Sequence, residues 1–318
     1  MRSMRSQLLK LLRFTVPSSW KESSNCKWDL DCVRFYLTPK GKFRVQATNG
    51  SALVDIPVDE GLVDEKVTKN QHLIDANEVK EALKNADLTI CGIEFKDEGV
   101  FFKQRTGDYF KCEQHGDKRW PDLSEYKALL DPNLTHYPYT YVFRGWDFTD
   151  VLRTEDFIEF LDSLRSTDSL QSLLLVFDHK EEECSLAWSL ESQISSGRAF
   201  YGKMLFRMTK HDKPKYAVAQ GDLFVFGVNP ILLKKIWDLI KPTSHYSRPE
   251  ICITPVSTTS SEAEGITVYE GALRISASEY DDRIILMMPL NLTGGDKDHL
   301  QSVVKRVKHI LHITENIA

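Results

Sequence analysis

The same succession of elements is written twice along this chain, and that repetition limits what it can fold into. A helix is followed by strands, then a helix and strands again. After the proline-bearing stretch LDPNLTHYPYTY, with Pro132 and Pro138, the order restarts. The first helix is predicted over residues 6–14, with Leu8, Leu9, Leu11 and Leu12 on its apolar side. The second begins in IDANEVKEALKNA, where Asp75 is the N-cap and Glu78, three residues on, completes a capping box. Val79, Ala82, Leu83 and Ala86 then share a face at helical spacing. The third reads RTEDFIEFLDSLRS, capped by Thr154, with Phe157, Ile158, Leu161 and Leu164 together. In the fourth, NPILLKKIWDLIKP, Asn229 caps, Pro230 takes the first helical position and Pro242 stops the helix. Leu232, Leu233, Ile236 and Ile240 form its buried stripe.

Strands joined by tight turns fill the intervals. VRFYLTPKGKFRVQAT reads as two strands around Pro39, Lys40 and Gly41. GIEFKDEGVFFKQRTGDYFKCE reads as three, turning at Asp97-Glu98-Gly99 and Thr106-Gly107-Asp108. AFYGKMLFRMTKHDKPKYAVAQGDLFVFGV and ITVYEGALRISASEYDDRIILMMPL repeat the style in the second half. The expected class is α+β: two tandem domains, each with two helices packed on antiparallel sheets. Long antiparallel sheets leave edges that invite pairing with another chain.

Composition excludes several alternatives. With 318 residues, 42% hydrophobic and 27% charged, the chain can bury a sizeable core. A formal net charge of −5 argues against a wholly basic nucleic-acid binder, although a local basic face remains open. The six cysteines form no CxxC pair, so no metal site is expected, and their sparseness suits a reducing, cytoplasmic setting. No apolar run reaches the ~18 residues that span a bilayer, so no membrane association is expected. The opening MRSMRSQLLKLLRF is read as an amphipathic helix of the fold rather than a presequence. FDHKEEECS gathers Asp178, His179, Glu181, Glu182, Glu183 and Cys184, but neighbours on a strand point to opposite faces and cannot converge on a metal. There is no GxSxG elbow, Walker loop or HExxH, so the chain is read as non-enzymatic, with no cofactor.

VRFYLTPKGKFRVQATNGSALVDI resembles the bacterial sliding clamp family, the DNA polymerase III beta subunit-like processivity factors. In that family a strand pair leads into an Ala-Thr-Asp-Gly turn and a short strand containing Leu. Here the turn is Ala47-Thr48-Asn49-Gly50, with Leu53 behind it. HLIDANEVKEALKN, KRWPDLSEYKALL and RIILMMPLNL resemble, in order, the segment entering a helix, the Pro-Asp segment closing a domain, and the final strand with its Met-Pro-Met type ending. The family has three domains per chain. The resemblance here implies a two-domain variant: residues 1–130 like the middle domain, residues 139–292 like the last, and residues 293–318 an amphipathic extension. Three copies would supply the six domains of a ring, so a homo-oligomer, a trimer, is implied.

The resemblance also implies sites. Duplex DNA would be held without sequence preference by basic residues on helix faces. The candidates are Arg5, Lys10, Arg13, Lys80, Lys84, Lys234, Lys235 and Lys241. The third helix opposes this, since Glu155, Asp156, Glu159 and Asp162 outnumber Arg153 and Arg165. A short hydrophobic peptide of a DNA polymerase or repair protein would dock in an apolar pocket formed by Thr48, Gly50, Leu53, Pro121, Tyr126, Met288, Pro289 and Leu290. Ser51 and Ala52 stand where the family has His and Arg. The alternative is a clamp-fold interaction module that does not encircle DNA. Beyond Leu292, an apolar stripe of Leu300, Val303, Val304, Val307, Ile310 and Leu311 predicts a further helix. Three roles are open to it: packing on its own domain, which is preferred, covering the pocket, or binding a partner.

Overall fold

The computed structural model describes residues 4–17, 27–63, 71–85, 90–122, 129–131, 133–144, 171–178, 185–192, 199–218, 221–240, 250–257, 260–277 and 282–315. The expected third helix, residues 153–166, lies outside them, as do Tyr126, Lys241 and residues 179–184. The chain divides into two units: residues 1–127 with 282–285, and residues 128–281 with 286–318. Among the described residues no helix is long and apolar enough to cross a membrane, and no group of three potential metal ligands occurs.

In the first unit, β1 (Cys32–Leu37), β2 (Phe43–Thr48), β3 (Ala52–Pro57) and β4 (Gln71–Asp75) make an antiparallel sheet in the order β3-β2-β1-β4. Strands β5 (Ile90–Lys96), β6 (Gly99–Gln104) and β7 (Tyr109–Glu113) form a second. The predicted turns are where the sequence placed them. Gly41 adopts φ 79 and its N–H donates to the Thr38 carbonyl at 2.9 Å. Alternation sends Val33, Phe35, Val45, Ala47, Val54 and Ile56 into the core. There Phe35 meets Phe95 and Phe102 with centroids at 6.0 and 6.1 Å, and Phe43 stacks on Phe95 at 4.7 Å.

Helix α1 (Met4–Leu11) continues as a short 3-10 turn, Leu12–Phe14, where Thr15 donates its hydroxyl to the Leu12 carbonyl at 2.9 Å. Its buried side is Met4, Leu8, Leu11 and Phe14. The predicted Leu9 and Leu12 are only half-buried, because Met4, Leu8 and Leu11 take the centre of the buried stripe at helical spacing and those two flank it. Helix α2 (Ala76–Asn85) starts as expected, with Asp75 Oδ1 accepting from the Asn77 N–H at 2.7 Å. The capping box does not close. Glu78 instead accepts from the Glu113 N–H at 2.8 Å and contacts His115 Nε2 at 3.0 Å, tying α2 to β7.

The second unit holds β8 (Tyr139–Arg144), β12 (Arg207–Lys210), β14 (Glu250–Pro255) and β17 (Leu273–Ser276) in the order β12-β8-β14-β17. Strand β18 (Ile284–Met287) pairs with β17 through Leu286 and Met287. The other sheet runs β11 (Ala199–Leu205), β10 (Ser185–Ser192), β9 (Gln171–Asp178), β13 (Leu223–Val228), β16 (Ile266–Tyr269), β15 (Ser260–Ala263). Its β13–β16 pair is parallel and its other pairs are antiparallel. Helix α3 (Pro230–Ile240) follows β13, with Asn229 Oδ1 accepting from the N–H groups of Ile231 and Leu232 at 3.0 and 3.1 Å.

The middle of this second sheet, β9, β13 and β16, is buried on both faces. One face sends Phe177, Phe224 and Phe226 into an aromatic core, where Tyr141 stacks on Phe177 at 4.2 Å and Phe177 on Phe226 at 5.0 Å. On the other, Ala187, Val176, Val225 and Val268 stand in one row across β10, β9, β13 and β16. Helix α4 (Lys297–Glu315) covers that row with Val303, Val304, Val307 and Ile310. Asp296 caps it, its Oδ1 accepting from the Asp298 N–H at 3.0 Å, after Gly294 and Gly295 turn the chain at φ 57 and 77. Of its three open roles, α4 takes the first and packs on its own unit.

The seal of α4 on the sheet yields a direct measurement. Ile310→Ala should lower unfolding stability by about 2–5 kcal/mol, the usual cost of truncating a fully buried isoleucine. Urea denaturation followed by circular dichroism measures it.

Candidate partner-binding and nucleic-acid surfaces

In the first unit the Thr48–Ala52 turn is built from its own side chains. Asn49 Oδ1 accepts from the N–H groups of Ser51 and Ala52 at 3.0 and 2.9 Å. The Thr48 hydroxyl donates to the Ala52 carbonyl at 2.8 Å and accepts from the Gly50 N–H at 3.2 Å. Gly50 lies at φ 86, where a side chain would be strained, and is exposed. Thr48 and Leu53 are directly opposed across β2 and β3 and both are buried, Leu53 at the margin with 9% exposure.

Below them on the same face lies a polar cluster. Arg44 Nε donates to Asp55 Oδ1 at 2.8 Å, and Arg44 Nη2 donates to the Asp282 carbonyl at 2.8 Å. Asp55 Oδ2 accepts from the Tyr36 hydroxyl at 2.6 Å and from Gln46 Nε2 at 2.9 Å. Burial, and then the Asp55 charge, raise the Tyr36 pKa well above the ordinary phenol range, so the hydroxyl stays a donor. Arg34 completes the cluster, donating to Gln46 and Gln71 with its guanidinium 4.6 Å from the Tyr36 ring. Pro121 is half-buried after the buried Trp120. The Asp29 N–H donates to the carbonyl of the neighbouring Arg119 at 2.8 Å, the Arg119 N–H donates to Asp29 Oδ2 at 2.6 Å, and Lys118 pairs with Asp31 at 3.0 Å.

In the second unit the segment after β18 is held at both ends. Met287 pairs with Leu273, and the Leu290 N–H donates to the Gly227 carbonyl at 2.8 Å in an antiparallel bridge. Leu292 occupies the space a side chain at Gly227 would need, with its Cδ2 2.8 Å from the ideal Cβ. Between these anchors Met288 is 48% exposed, and Pro289 and Leu290 are half-buried. The bridge aligns this segment with the end of β13, which runs through Asn229 into α3. There Ile231 is 44% exposed. Sequence reading missed Ile231; the available signal was an isoleucine off the buried stripe of a capped first turn.

The basic candidates have varied surroundings. Arg5 Nε donates to the Leu83 carbonyl in the last turn of α2 at 2.8 Å, so this guanidinium serves as a C-terminal cap. Lys84 pairs with Glu81 at 2.6 Å. Arg13, Lys80, Lys84 and Lys234 are exposed, whereas Lys10 and Lys235 are half-buried.

No protein-family model matches the sequence, and no curated protein sequence matches it. Solved structures do match. DNA polymerase III subunit beta of Borrelia burgdorferi, in complex with a natural product, aligns over 91% of this chain and 62% of its own, at TM-score 0.60 and 14% identity. The beta subunit of Thermotoga maritima aligns over 91% and 63%, at TM-score 0.59 and 14% identity. The DnaN sliding clamp of Bartonella birtlesii, bound to griselimycin, aligns over 90% and 64%, at TM-score 0.59 and 15% identity. This chain therefore has the sliding-clamp fold, α+β with mostly antiparallel sheets, and spans less than two thirds of the length of these subunits.

The Arg44–Asp55 pair gives the test for the first surface. Asp55→Ala leaves a buried guanidinium with carbonyls alone and should cost about 3–5 kcal/mol. Asp55→Asn, which keeps hydrogen-bonding capacity, should cost less; paired denaturation curves measure both.

Proposed function

We propose that this protein is a clamp-like, DNA-associated tether without covalent chemistry of its own. The observation that carries this reading is the sliding-clamp fold along about nine tenths of a chain with two compact units. Three copies would supply six such units around a duplex. Arg5, Lys10, Arg13, Lys80, Lys84, Lys234, Lys235 and Lys241 would meet phosphate without reading sequence. A short hydrophobic peptide of a polymerase or repair protein would use Met288, Pro289, Leu290 and Ile231 on the second unit. The exposure of Met288 and Ile231 supports this, because an adaptable thioether and an aliphatic side chain open to solvent suit varied partner side chains. A second candidate surface for such a peptide, on the first unit, is Leu53, Thr48, Gly50, Pro121 and Tyr126.

A second reading, an interaction module that does not encircle DNA, is favoured by two contacts. Arg5 is engaged at the end of α2, and Lys84 is neutralised by Glu81. Light scattering separates the readings. The tether should have three times the monomer mass and stay on closed circular DNA, sliding off once the circle is cut. A monomer without salt-dependent retention would leave the second reading.

The peptide surface is tested separately with griselimycin, the ligand of the Bartonella neighbour. Wild-type protein should bind it. Met288→Ala and Ile231→Ala should each weaken binding about ten-fold, as truncated anchors do. Unchanged affinity in both would remove this surface from the proposal.

A further inference from the structure

Of the large apolar side chains exposed among the described residues, Ile231 and Met288 belong to the peptide surface and Tyr109 does not. Tyr109 is 44% exposed on the outward face of the β5–β6–β7 sheet, whose inward face buries Ile93, Phe95, Val100, Phe102 and Cys112. Lys103 stands directly across from Tyr109, and Lys111 from Phe101. The two rings are thus diagonal neighbours on adjacent strands, a separation of about 7–8 Å that successive bases of an extended strand can follow.

Cations surround these rings. The Lys96 ammonium lies 4.6 Å from the Phe101 centroid and 5.9 Å from that of Tyr109, and Lys103 lies 5.7 Å from Tyr109. Two acids share the face and each is answered by a lysine: Glu94 by Lys96 at 2.8 Å, and Glu113 by Lys111 at 3.2 Å. Lys103 remains as the positive charge in excess, and its hydrogen bond with Tyr109 raises its pKa further above neutrality. The turn residues Asp97, Glu98 and Asp108 outnumber Arg105 and leave the region acidic overall, so attraction for phosphate is confined to the neighbourhood of Lys103. The face therefore offers two aromatic rings, Tyr109 exposed and Phe101 half-buried beneath the Lys96 ammonium, with Lys103 as the cation not paired to an acid. A partner with flat rings strung on an anionic backbone fits that chemistry better than an aliphatic peptide or a duplex with its bases stacked inside.

We propose that the outward face of the β5–β6–β7 sheet binds single-stranded nucleic acid, stacking two successive bases on Phe101 and Tyr109 while Lys103 meets the phosphate between them and the Lys96 ammonium moves off the Phe101 ring. Stacking carries the affinity, so binding tolerates sequence and depends only shallowly on salt, unlike the duplex contacts proposed above. The inference rests on this sheet face and not on ring closure.

The test is anisotropy of a fluorescein-labelled short oligothymidylate titrated with the full chain at two salt concentrations. Tyr109→Ala and Phe101→Ala should each weaken binding about ten-fold, the loss of one stacked base. Tyr109→Phe keeps the ring and should stay within about two-fold of wild type. Thermal melts confirm that each variant folds, and mass and retention on circular DNA should be unchanged in Tyr109→Ala. The proposal is overturned if the wild type ignores the oligonucleotide, if Tyr109→Ala binds as tightly as wild type, or if Tyr109→Phe loses as much as the alanine variant.

Discussion

Period-two alternation on β1, β2 and β3 decides what the first unit can be. It sends Val33, Phe35, Val45, Ala47, Val54 and Ile56 to the aromatic core, and Arg34, Tyr36, Arg44, Gln46 and Asp55 to the opposite face. A slip of one residue would bury a carboxylate among phenylalanines and turn a row of valines outward. The Arg44–Asp55 pair makes the correct register distinguishable, because only there does each charge meet its counterpart. The turn at Thr48–Ala52 follows from that register, and so does the opposition of Thr48 and Leu53.

The second unit follows a different rule. Its β9 and β13 bury both faces, one against aromatic rings and one under α4. Alternation between polar and apolar is therefore absent from QSLLLVFD and LFVFGV, which read as continuous apolar runs. Helix α4 covers what would otherwise be a broad apolar sheet face open to water. Lys308 on its solvent side pairs with Glu264 in the turn between β15 and β16, adding a polar tie at the margin.

Much of this was legible before any coordinates. Helices α2, α3 and α4 and the hairpins around Gly41, Gly99 and Gly107 follow from caps, stripes and turn residues whose effects are local. What escaped was set by tertiary partners. Glu78 carries the right spacing for a capping box, yet β7 offers it a backbone N–H and a histidine, and those win. The first helix shows four leucines, and their spacing alone does not reveal that its last turn tightens and brings Phe14 into the core, nor that Met4 extends the buried row at the other end. Thr48 reads as a groove residue by resemblance, while its hydroxyl is already engaged within the turn. Ile231 went unnoticed because an exposed isoleucine in a capped helical turn has no signature of its own; its meaning comes from Met288 in the segment bridged to the end of β13.

The arch that carries Met288 has a thermodynamic corollary. Its two ends are fixed, one by β18 and the other by the bridge to Gly227, and Pro289 stiffens the span between them. Most of the backbone freedom of this segment is surrendered when the unit folds, so a visitor need not order it again. Adaptability is left to the methionine side chain, whose torsions can turn while the chain beneath stays still. As the proposed peptide surface, such a segment would combine a rigid mount with a soft tip and receive unlike guests at little entropic penalty.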